Sequence, residues 1–156
     1  MKLLFICTHN RCRSILAEAV TNYYGKGQVL AKSAGSQPAG KVHPLSLKYL
    51  QKIGIPTEGL SSQSWDEHEA WQADVVITVC DSAANEACPL WFGQSLKVHW
   101  GLADPSKLEG TEEDIERAFI KTIETLTRRT ESLLRLNIQN ASLQDWPDLL
   151  STAANA

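Results

Sequence analysis

The chain has 156 residues, of which 43% are apolar and 21% charged, values typical of a soluble globular protein. This length predicts one domain with a substantial core. The net charge of −3 argues against a general nucleic-acid-binding protein, so we expect any anion site to be local. The short N-terminal apolar run does not predict a signal peptide, and no run approaches the roughly 20 residues that span a bilayer. We therefore expect a cytoplasmic protein without a membrane partner.

Predicted strands and helices alternate along the chain. Apolar runs bounded by turn residues predict strands over 2–7, 29–34, 73–80 and 96–100. Apolar periodicity, Pro44 and a Thr111–Asp114 capping box predict helices over 14–24, 44–53, 65–71 and 111–136. The apolar faces expected in the core include Tyr23 on the first helix and Ile53 on the second.

This alternation predicts an α/β fold: a single doubly wound domain with a four-stranded parallel sheet and helices on both faces. We expect the domain to span residues 1–136. Residues 137–156 are expected to form a C-terminal tail, with a short helix packed on the domain or trailing from it.

The segment from Cys7 to Ser14 lies between the first strand and the first helix. It reads Cys-Thr-His-Asn-Arg-Cys-Arg-Ser, with an arginine six positions after the first cysteine. A strand that turns at once into a helix leaves backbone N–H groups that attract a tetrahedral oxyanion, and Arg13 can hold two of its oxygens. We predict that the following residues bind the substrate: Thr8, His9, Asn10, Arg11, Cys12, Arg13 and Ser14.

Cys7 is the predicted nucleophile of this segment. The helix N-terminus and Arg13 favour the thiolate, and a pKa lowered from about 8.5 to roughly 6 would ionise most of the thiol at pH 7. Ser14 is placed to hydrogen-bond the sulfur. The alternative is a buried structural cysteine beside a surface arginine, because this spacing also occurs by chance.

The chain has four cysteines, at positions 7, 12, 80 and 88. In a reducing compartment they are more often catalytic, redox-active or metal-binding than paired in structural disulfides. No two of them show the two-residue gap usual in zinc sites, so we predict no metal.

Cys7 and Cys80 both end predicted strands, at the edge where doubly wound sheets bind ligands. If those strands are neighbours, their backbones lie about 4.8 Å apart. A disulfide needs Cα separations of roughly 4.4–6.8 Å, so the two sulfurs could bond. Such a bond would distinguish a redox enzyme from a simple hydrolase.

Cys7 to Ser14, the pair Asp104-Pro105 and the element order resemble the low-molecular-weight protein tyrosine phosphatase fold. Within that fold, Cys80 and Cys88, together with the segment from His99 to Pro105, resemble the arsenate reductases. The resemblance spans roughly residues 2–135.

The resemblance implies arsenate reduction through a thiol relay. Cys7 would attack arsenic while Asp104, as a general acid, protonates the departing oxygen. Cys80 would attack the adduct, release arsenite and form a Cys7–Cys80 disulfide; Cys88 would then pair with Cys80 and free Cys7. Thioredoxin or a glutathione/glutaredoxin system would reduce that disulfide, with no bound cofactor, metal or nucleotide. Phosphate or sulfate would mimic the substrate.

Some of these residues also have a plainer interpretation. Cys12 is interpreted as structural or accessory, and Asn10 as a buttress of the loop. An aspartate before proline is common in turns, so Asp104 could be a turn residue, and Cys88 could be an inert thiol. Three histidines carry no usable pattern: His43, His68 and His99.

Three positions depart from the family pattern. His9 and Arg11 stand where relatives carry small or uncharged residues, and Arg11 adds positive charge at the mouth of the site. Gln63 stands where some reductases hold potassium with a carboxylate, so no such ion is expected. The gap between Cys80 and Cys88 is one residue longer than in the best-known thioredoxin-coupled type, which leaves the reductant open.

Two other functions remain open. A phosphatase acting on phosphotyrosine or small phosphoesters would use Cys7, Arg13 and Asp104 and leave the later cysteines idle. Phosphotyrosine enzymes of this fold carry tyrosines after the acid–proline pair, whereas Ser106 and Lys107 follow it here. The third possibility is a non-catalytic thiol sensor or metal-binding module.

Overall fold

The computed structural model describes residues 1–84 and 95–156. In this part of the chain, four parallel strands form one sheet: β1 (Lys2–Ile6), β2 (Leu30–Ala34), β3 (Val75–Thr78) and β4 (Leu96–His99). Their order across the sheet is β2-β1-β3-β4, so the chain order reverses between β1 and β3. In that central pair Leu3 lies opposite Val75 and Ile6 opposite Thr78.

Helices connect the strands. The described residues contain five α-helices: α1 (Arg13–Tyr24), α2 (Pro44–Ile53), α3 (Asp81–Ala84), α4 (Glu112–Arg135) and α5 (Trp146–Ala154). They also contain three 3-10 helices: Trp65–Trp71, Pro105–Lys107 and Ile138–Asn140. The predicted doubly wound α/β fold with a four-stranded parallel sheet is confirmed. No helix among the described residues has both the length and the apolar character needed to cross a membrane.

The ends of the helices carry the local signals seen in the sequence. Pro44 is the first residue of α2, and Gly54 ends this helix in a left-handed conformation with φ of 89°. At the start of α4 the backbone N–H of Asp114 donates to Thr111 Oγ1 at 3.1 Å, and the backbone N–H of Thr111 donates to Asp114 Oδ2 at 3.2 Å. This reciprocal pair satisfies two N–H groups that the helix itself leaves free.

The expected core faces of two helices need correction. Tyr23 is 48% exposed, because the contact between α1 and α4 passes through Thr21, whose hydroxyl lies 3.4 Å from that of Thr130. Ile53 is 38% exposed, because Tyr49 forms the α2 contact with α4 and its ring centroid lies 5.2 Å from that of Phe119. In each helix one apolar residue of the expected stripe therefore lies outside the contact surface.

The C-terminal helix α5 packs against the end of the sheet. Leu150 and Ala153 are fully buried, and the indole Nε1 of Trp100 donates a hydrogen bond to the backbone oxygen of Leu150 at 3.2 Å. Trp100 directly follows β4 and is itself buried. Residues 146–154 thus help to fix the segment that leaves β4 toward Asp104.

Candidate active site

The predicted site residues lie at the carboxyl edge of the sheet. Cys7 directly follows β1, and Cys80 follows the neighbouring strand β3 by two residues. Asp104 lies on the segment that leaves β4. Because β1 and β3 flank the point where the chain order reverses, this edge is where a doubly wound fold binds its ligands. The predicted adjacency of Cys7 and Cys80 is confirmed.

Backbone hydrogen bonds fix the loop between β1 and α1. The carbonyls of Thr8, His9 and Arg11 accept bonds of 2.9 Å from the backbone N–H groups of Gln37, Ala39 and His43, respectively. A trans peptide directs the next N–H opposite to its carbonyl, so the N–H groups of His9 and Cys12 lie on the other side of the loop. The first turn of α1 carries no acidic side chain that would repel an anion there.

Asn10 supports this loop from below. It is fully buried and adopts a left-handed conformation with φ of 46°. Its Nδ2 donates to Ser14 Oγ at 2.8 Å, and its Oδ1 accepts from the backbone N–H of Gln63 at 2.8 Å. Asparagine tolerates this conformation better than most residues because its short side chain can bond locally.

A cavity of about 250 Å³ opens over the loop. It is lined by Cys7, Thr8, His9, Arg11, Cys12, Arg13, Cys80, Asp104, Ser106 and Lys107. The structure therefore brings together all the described residues that the sequence placed at the site except Asn10 and Ser14. Both of these are fully buried behind the loop, so they support the cavity instead of lining it.

The expected bond from Ser14 to the Cys7 sulfur is wrong. The hydroxyl of Ser14 accepts from Asn10, and in the described part of the chain it makes no hydrogen bond to Cys7. The hydrogen bond from Asn10 explains why the expected bond is missing, because it holds the Ser14 hydroxyl behind the loop.

Arg13 and Asp104 form a pair on one wall of the cavity. Arg13 Nη2 lies 3.5 Å from Asp104 Oδ2, and Arg13 Nη1 donates to the backbone oxygen of Leu102 at 2.9 Å. Asp104 Oδ1 accepts from the backbone N–H and the hydroxyl of Ser106 at 2.9 and 2.6 Å. Both side chains are more than four-fifths buried, with exposures of 15% and 17%. Each is thereby held in one orientation toward the loop.

Cys7 and Cys80 are coupled in a way that the sequence did not predict. The hydrogen bond with Cys80 and burial raise the pKa of Cys7 above its usual value, and Arg13 opposes them only partly. The same hydrogen bond lowers the pKa of Cys80 to about 5, although burial opposes it. The raised pKa of Cys7 runs opposite to the lowered pKa expected from the sequence, because Cys7 and Cys80 ionise as one coupled pair.

The surroundings of the Cys80 sulfur explain this distribution of charge. Cys80 accepts hydrogen bonds from the backbone N–H groups of Thr8 and Ala83, and its Sγ lies 3.9 Å from Thr8 Oγ1. Ala83 belongs to α3, so its N–H also stabilises the thiolate at the start of that helix. Two charged sulfurs side by side in a buried site would repel each other, so the pair holds one proton between them.

The remaining two cysteines differ from this pair. Cys12 is buried, and burial raises its pKa to about 11, although hydrogen bonds with Ser46 and Ser106 oppose the shift. It therefore stays protonated at neutral pH, in keeping with a structural or accessory part. Cys88 lies outside the described residues.

Sequence reasoning missed several features of the site. Ser106 and Lys107 line the cavity, and their place directly after Asp104-Pro105 was the available signal. Gly35 closes β2 against the loop, where a Cβ would clash with the carbonyl oxygens of Cys7 and Thr8. Among the described residues, no group of three or more histidine, cysteine, aspartate or glutamate side chains is arranged to hold a metal.

Comparison with known proteins agrees with this geometry. The family model for low molecular weight phosphotyrosine protein phosphatases matches residues 2–144. An arsenate reductase of Halalkalibacterium halodurans is 34% identical over 130 residues, 83% of this chain and 92% of that protein. A glutaredoxin arsenate reductase of Synechocystis sp. is 33% identical over 104 residues, 67% of this chain and 78% of that protein.

A solved arsenate reductase in its phosphate-binding state superimposes with a TM-score of 0.66 at 27% identity. The match covers 86% of this chain and 96% of the other. The chain belongs to the low molecular weight phosphotyrosine protein phosphatase family and, within it, to the group of the arsenate reductases.

Proposed function

We propose that this protein reduces arsenate to arsenite by nucleophilic attack of Cys7 on arsenic, followed by a thiol relay through Cys80. The observation that carries this proposal is the coupled pair of thiols at the ends of two adjacent strands. A phosphatase needs one nucleophilic sulfur, whereas reduction of arsenic(V) needs two electrons, which two thiols supply when they form a disulfide. The similarity to arsenate reductases supports the same chemistry.

Binding of the oxyanion is assigned to the loop and to Arg13. Arsenate is tetrahedral and negatively charged, so the inward N–H groups of the loop and the guanidinium of Arg13 suit it. An oxyanion competes with Asp104 for Arg13, because both are anionic partners of one guanidinium. Once the oxyanion has replaced it on Arg13, Asp104 takes up a proton from water at the open mouth of the cavity and serves as the general acid that protonates the departing oxygen.

The first chemical step forms the bond between sulfur and arsenic. As the Cys7 sulfur attacks arsenic, its thiol becomes strongly acidic and passes its proton to the adjacent Cys80 thiolate. One arsenate oxygen leaves as water with the proton of Asp104. Arsenic remains in the +5 state in this adduct, and Cys80 loses the accepted proton to water at the open mouth of the cavity.

The second step reduces arsenic. The Cys80 thiolate attacks Cys7 Sγ and a disulfide bond forms, while the bond between sulfur and arsenic breaks and its electron pair stays on arsenic. Arsenic(V) becomes arsenic(III) and leaves as arsenite, so the two thiols lose the two electrons that arsenic gains. Cys88 then attacks Cys80, which releases Cys7 and forms a Cys80–Cys88 disulfide.

An external thiol system completes the cycle by reducing that disulfide. Thioredoxin and the glutathione/glutaredoxin system can both exchange with a protein disulfide, and we propose both as candidate reductants. The Synechocystis relative, which is named a glutaredoxin arsenate reductase, supports the second choice. No bound cofactor takes part in the proposed cycle.

Phosphatase activity is the second candidate, since the family model that matches residues 2–144 describes phosphatases. Cys7, Arg13 and Asp104 suffice for a phosphoenzyme mechanism. The described residues that line the cavity include no phenylalanine, tyrosine or tryptophan that could stack on a phosphotyrosine ring. We therefore rank small phosphoesters above phosphotyrosine as substrates of any residual hydrolysis.

The deciding experiment measures arsenite released by the purified protein. Wild type and the variants Cys7→Ser, Cys80→Ser and Cys88→Ser would each receive arsenate with either thioredoxin, its reductase and NADPH, or glutathione with glutaredoxin. We expect Cys7→Ser and Cys80→Ser to release no arsenite, and Cys88→Ser to release one equivalent and then stop. Cys12→Ser, the matched loss of a thiol, should still turn over repeatedly.

Normal turnover by Cys80→Ser would refute the relay. Fast hydrolysis of an aryl phosphate that does not depend on Cys80, without arsenite release, would favour the phosphatase.

A further inference from the structure

A second cavity lies beside the active site and plays no part in the reaction proposed above. Its volume is about 410 Å³, compared with about 250 Å³ for the cavity over the loop. One wall is the segment Gly101–Pro105, which carries Asp104, and the other is the α4 surface around Ala118, Lys121 and Arg129. Its apolar lining includes Leu102, Pro105 and Leu108, the last of which is 44% exposed.

Arg129 is the unusual residue of this cavity. Its Nε and Nη1 atoms are buried and have no hydrogen-bond partner in the described part of the chain. Its guanidinium carbon lies 5.7 Å from the centre of the Trp100 ring, so the indole holds the group in place through a cation–π contact. Arg129 as a whole is only partly buried, but its two buried nitrogens lack acceptors, which is costly and calls for a ligand or bound water.

No carboxylate of the described residues lies within ion-pair distance of Arg129. Burial and the neighbouring Arg128 lower the pKa of Arg129, which reflects a cation without a compensating negative charge. Arg128 itself is exposed and donates to Thr125 Oγ1 at 3.3 Å. Lys121, about two helical turns before Arg129 on α4, adds a second positive charge to the lining of the cavity.

We propose that this cavity binds a small organic carboxylate, anchored by Arg129 and assisted by Lys121. The two cations define the charge of the ligand, since a carboxylate balances the positive charge that Arg129 and Lys121 bring to the lining of the cavity. The volume and the apolar wall favour an organic acid over an inorganic oxyanion, because the smaller cavity over the loop already accommodates a tetrahedral ion. This site is distinct from the proposed arsenate site and needs neither Cys7 nor Cys80.

The wall shared by the two cavities couples the carboxylate site to the active site. Leu102, whose carbonyl accepts the hydrogen bond of Arg13, and Asp104 both belong to it. A bound carboxylate would therefore restrict the segment that orients Arg13 and Asp104. We expect occupancy to change oxyanion affinity at the loop, and by linkage a bound oxyanion to change carboxylate affinity by the same factor.

The test uses citrate as the probe and the arginine Nε–H resonances of the full-length ¹⁵N-labelled protein as the readout. Phosphate is present at a saturating concentration, so that the loop is occupied. We expect citrate to shift the Arg129 resonance with a dissociation constant on the order of 1 mM. Arg129→Gln and the cavity-filling variant Ala118→Leu should each weaken this binding roughly tenfold or more. Arg128→Gln, the matched loss of a neighbouring charge, should leave it unchanged.

Three outcomes would overturn the proposal. The first is no shift of Arg129 in the folded wild-type protein at millimolar citrate. The second is competition in which phosphate displaces citrate completely, which would place the carboxylate over the loop. The third is an equal shift of Arg129 by phosphate alone, which would show a general anion site. Ala118→Leu keeps the charge of Arg129 and its contact with Trp100. It therefore tests whether citrate binds in this cavity even if Arg129→Gln fails to fold. None of these results depends on whether arsenate is reduced.

Discussion

The thiols of Cys7 and Cys80 line the same cavity because β1 and β3 are neighbouring parallel strands that end at the same edge of the sheet. Seventy-odd residues separate them in the chain, yet their distance is set by the spacing of two paired strands, about 4.8 Å. Thr8 directly follows Cys7 in the chain, and its hydroxyl oxygen lies 3.9 Å from Cys80 Sγ. This proximity couples the ionisation of the two thiols and lets one sulfur attack the other.

The first prediction concerns ionisation of the pair. Thiolate absorbance should appear with a midpoint near pH 5 and should be lost as the pH falls below it, because Cys80 is then protonated. In Cys7→Ser the main cause of the lowered pKa is removed, so the Cys80 midpoint should rise. Ultraviolet titration measures both midpoints, with Cys12→Ser as the matched control. An unchanged midpoint near pH 5 in Cys7→Ser would contradict the coupling.

The second prediction concerns Asp104. Asp104→Asn removes the proposed general acid but keeps the size of the side chain, so arsenite formation should slow by roughly 10²–10⁴-fold. Phosphate should bind at least as tightly as to wild type, because Arg13 loses a competing partner at 3.5 Å. Steady-state rates and phosphate inhibition constants measure the two effects. Ser106→Ala, which keeps the carboxyl, should lose much less activity, and equal losses would argue against proton donation by Asp104.

The third prediction concerns the buried support of the loop. Asn10→Ala removes bonds to Ser14 and Gln63 and keeps a side chain in the left-handed region, so it should cost about 2–4 kcal/mol of unfolding free energy. Asn10→Gly loses the same bonds without the backbone strain and should be about 1 kcal/mol more stable than Asn10→Ala. Urea unfolding measures both. If the two variants were equally stable, the positive φ of 46° would carry no strain.

The fourth prediction concerns a carboxyl away from the site. Burial raises the pKa of Glu18 to about 7, and the Ser33 hydroxyl, which donates to it at 2.5 Å, opposes the shift only partly. The folded protein therefore binds this proton more tightly than the unfolded chain does, so its stabilising effect is complete below about pH 4.5 and is lost as the pH rises through 7.

The expected loss over that window is on the order of 3 kcal/mol, and Glu18→Gln should abolish it. Urea unfolding of wild type and variant at several pH values measures the difference. Glu58→Gln, which removes an exposed carboxyl, is the control and should keep the wild-type profile. A flat wild-type profile between pH 4.5 and 7 would contradict the raised pKa.

Local signals predicted the elements of the fold well. The capping pair Thr111–Asp114 and the stop at Gly54 depend on residues a few positions apart, so the bounds of α2 and α4 followed from the sequence. The exposed positions of Tyr23 and Ile53 did not, because helical periodicity gives a stripe but not the part of it that another helix covers. Which residues of the stripe are buried depends on α4, which lies far along the chain.

The sequence alone determined the chemistry available to this protein: a cysteine and an arginine held between a strand and a helix, with an acid before proline and further cysteines later in the chain. Only the tertiary structure decided how these groups share charge. The order of the strands placed Cys80 against Cys7, and the Cys7 thiol, with smaller effects of the backbone N–H groups of Thr8 and Ala83, lowers the pKa of Cys80. The residue type determines which reactions a side chain can take part in. The pKa of that side chain depends on burial and on the neighbours that folding brings close.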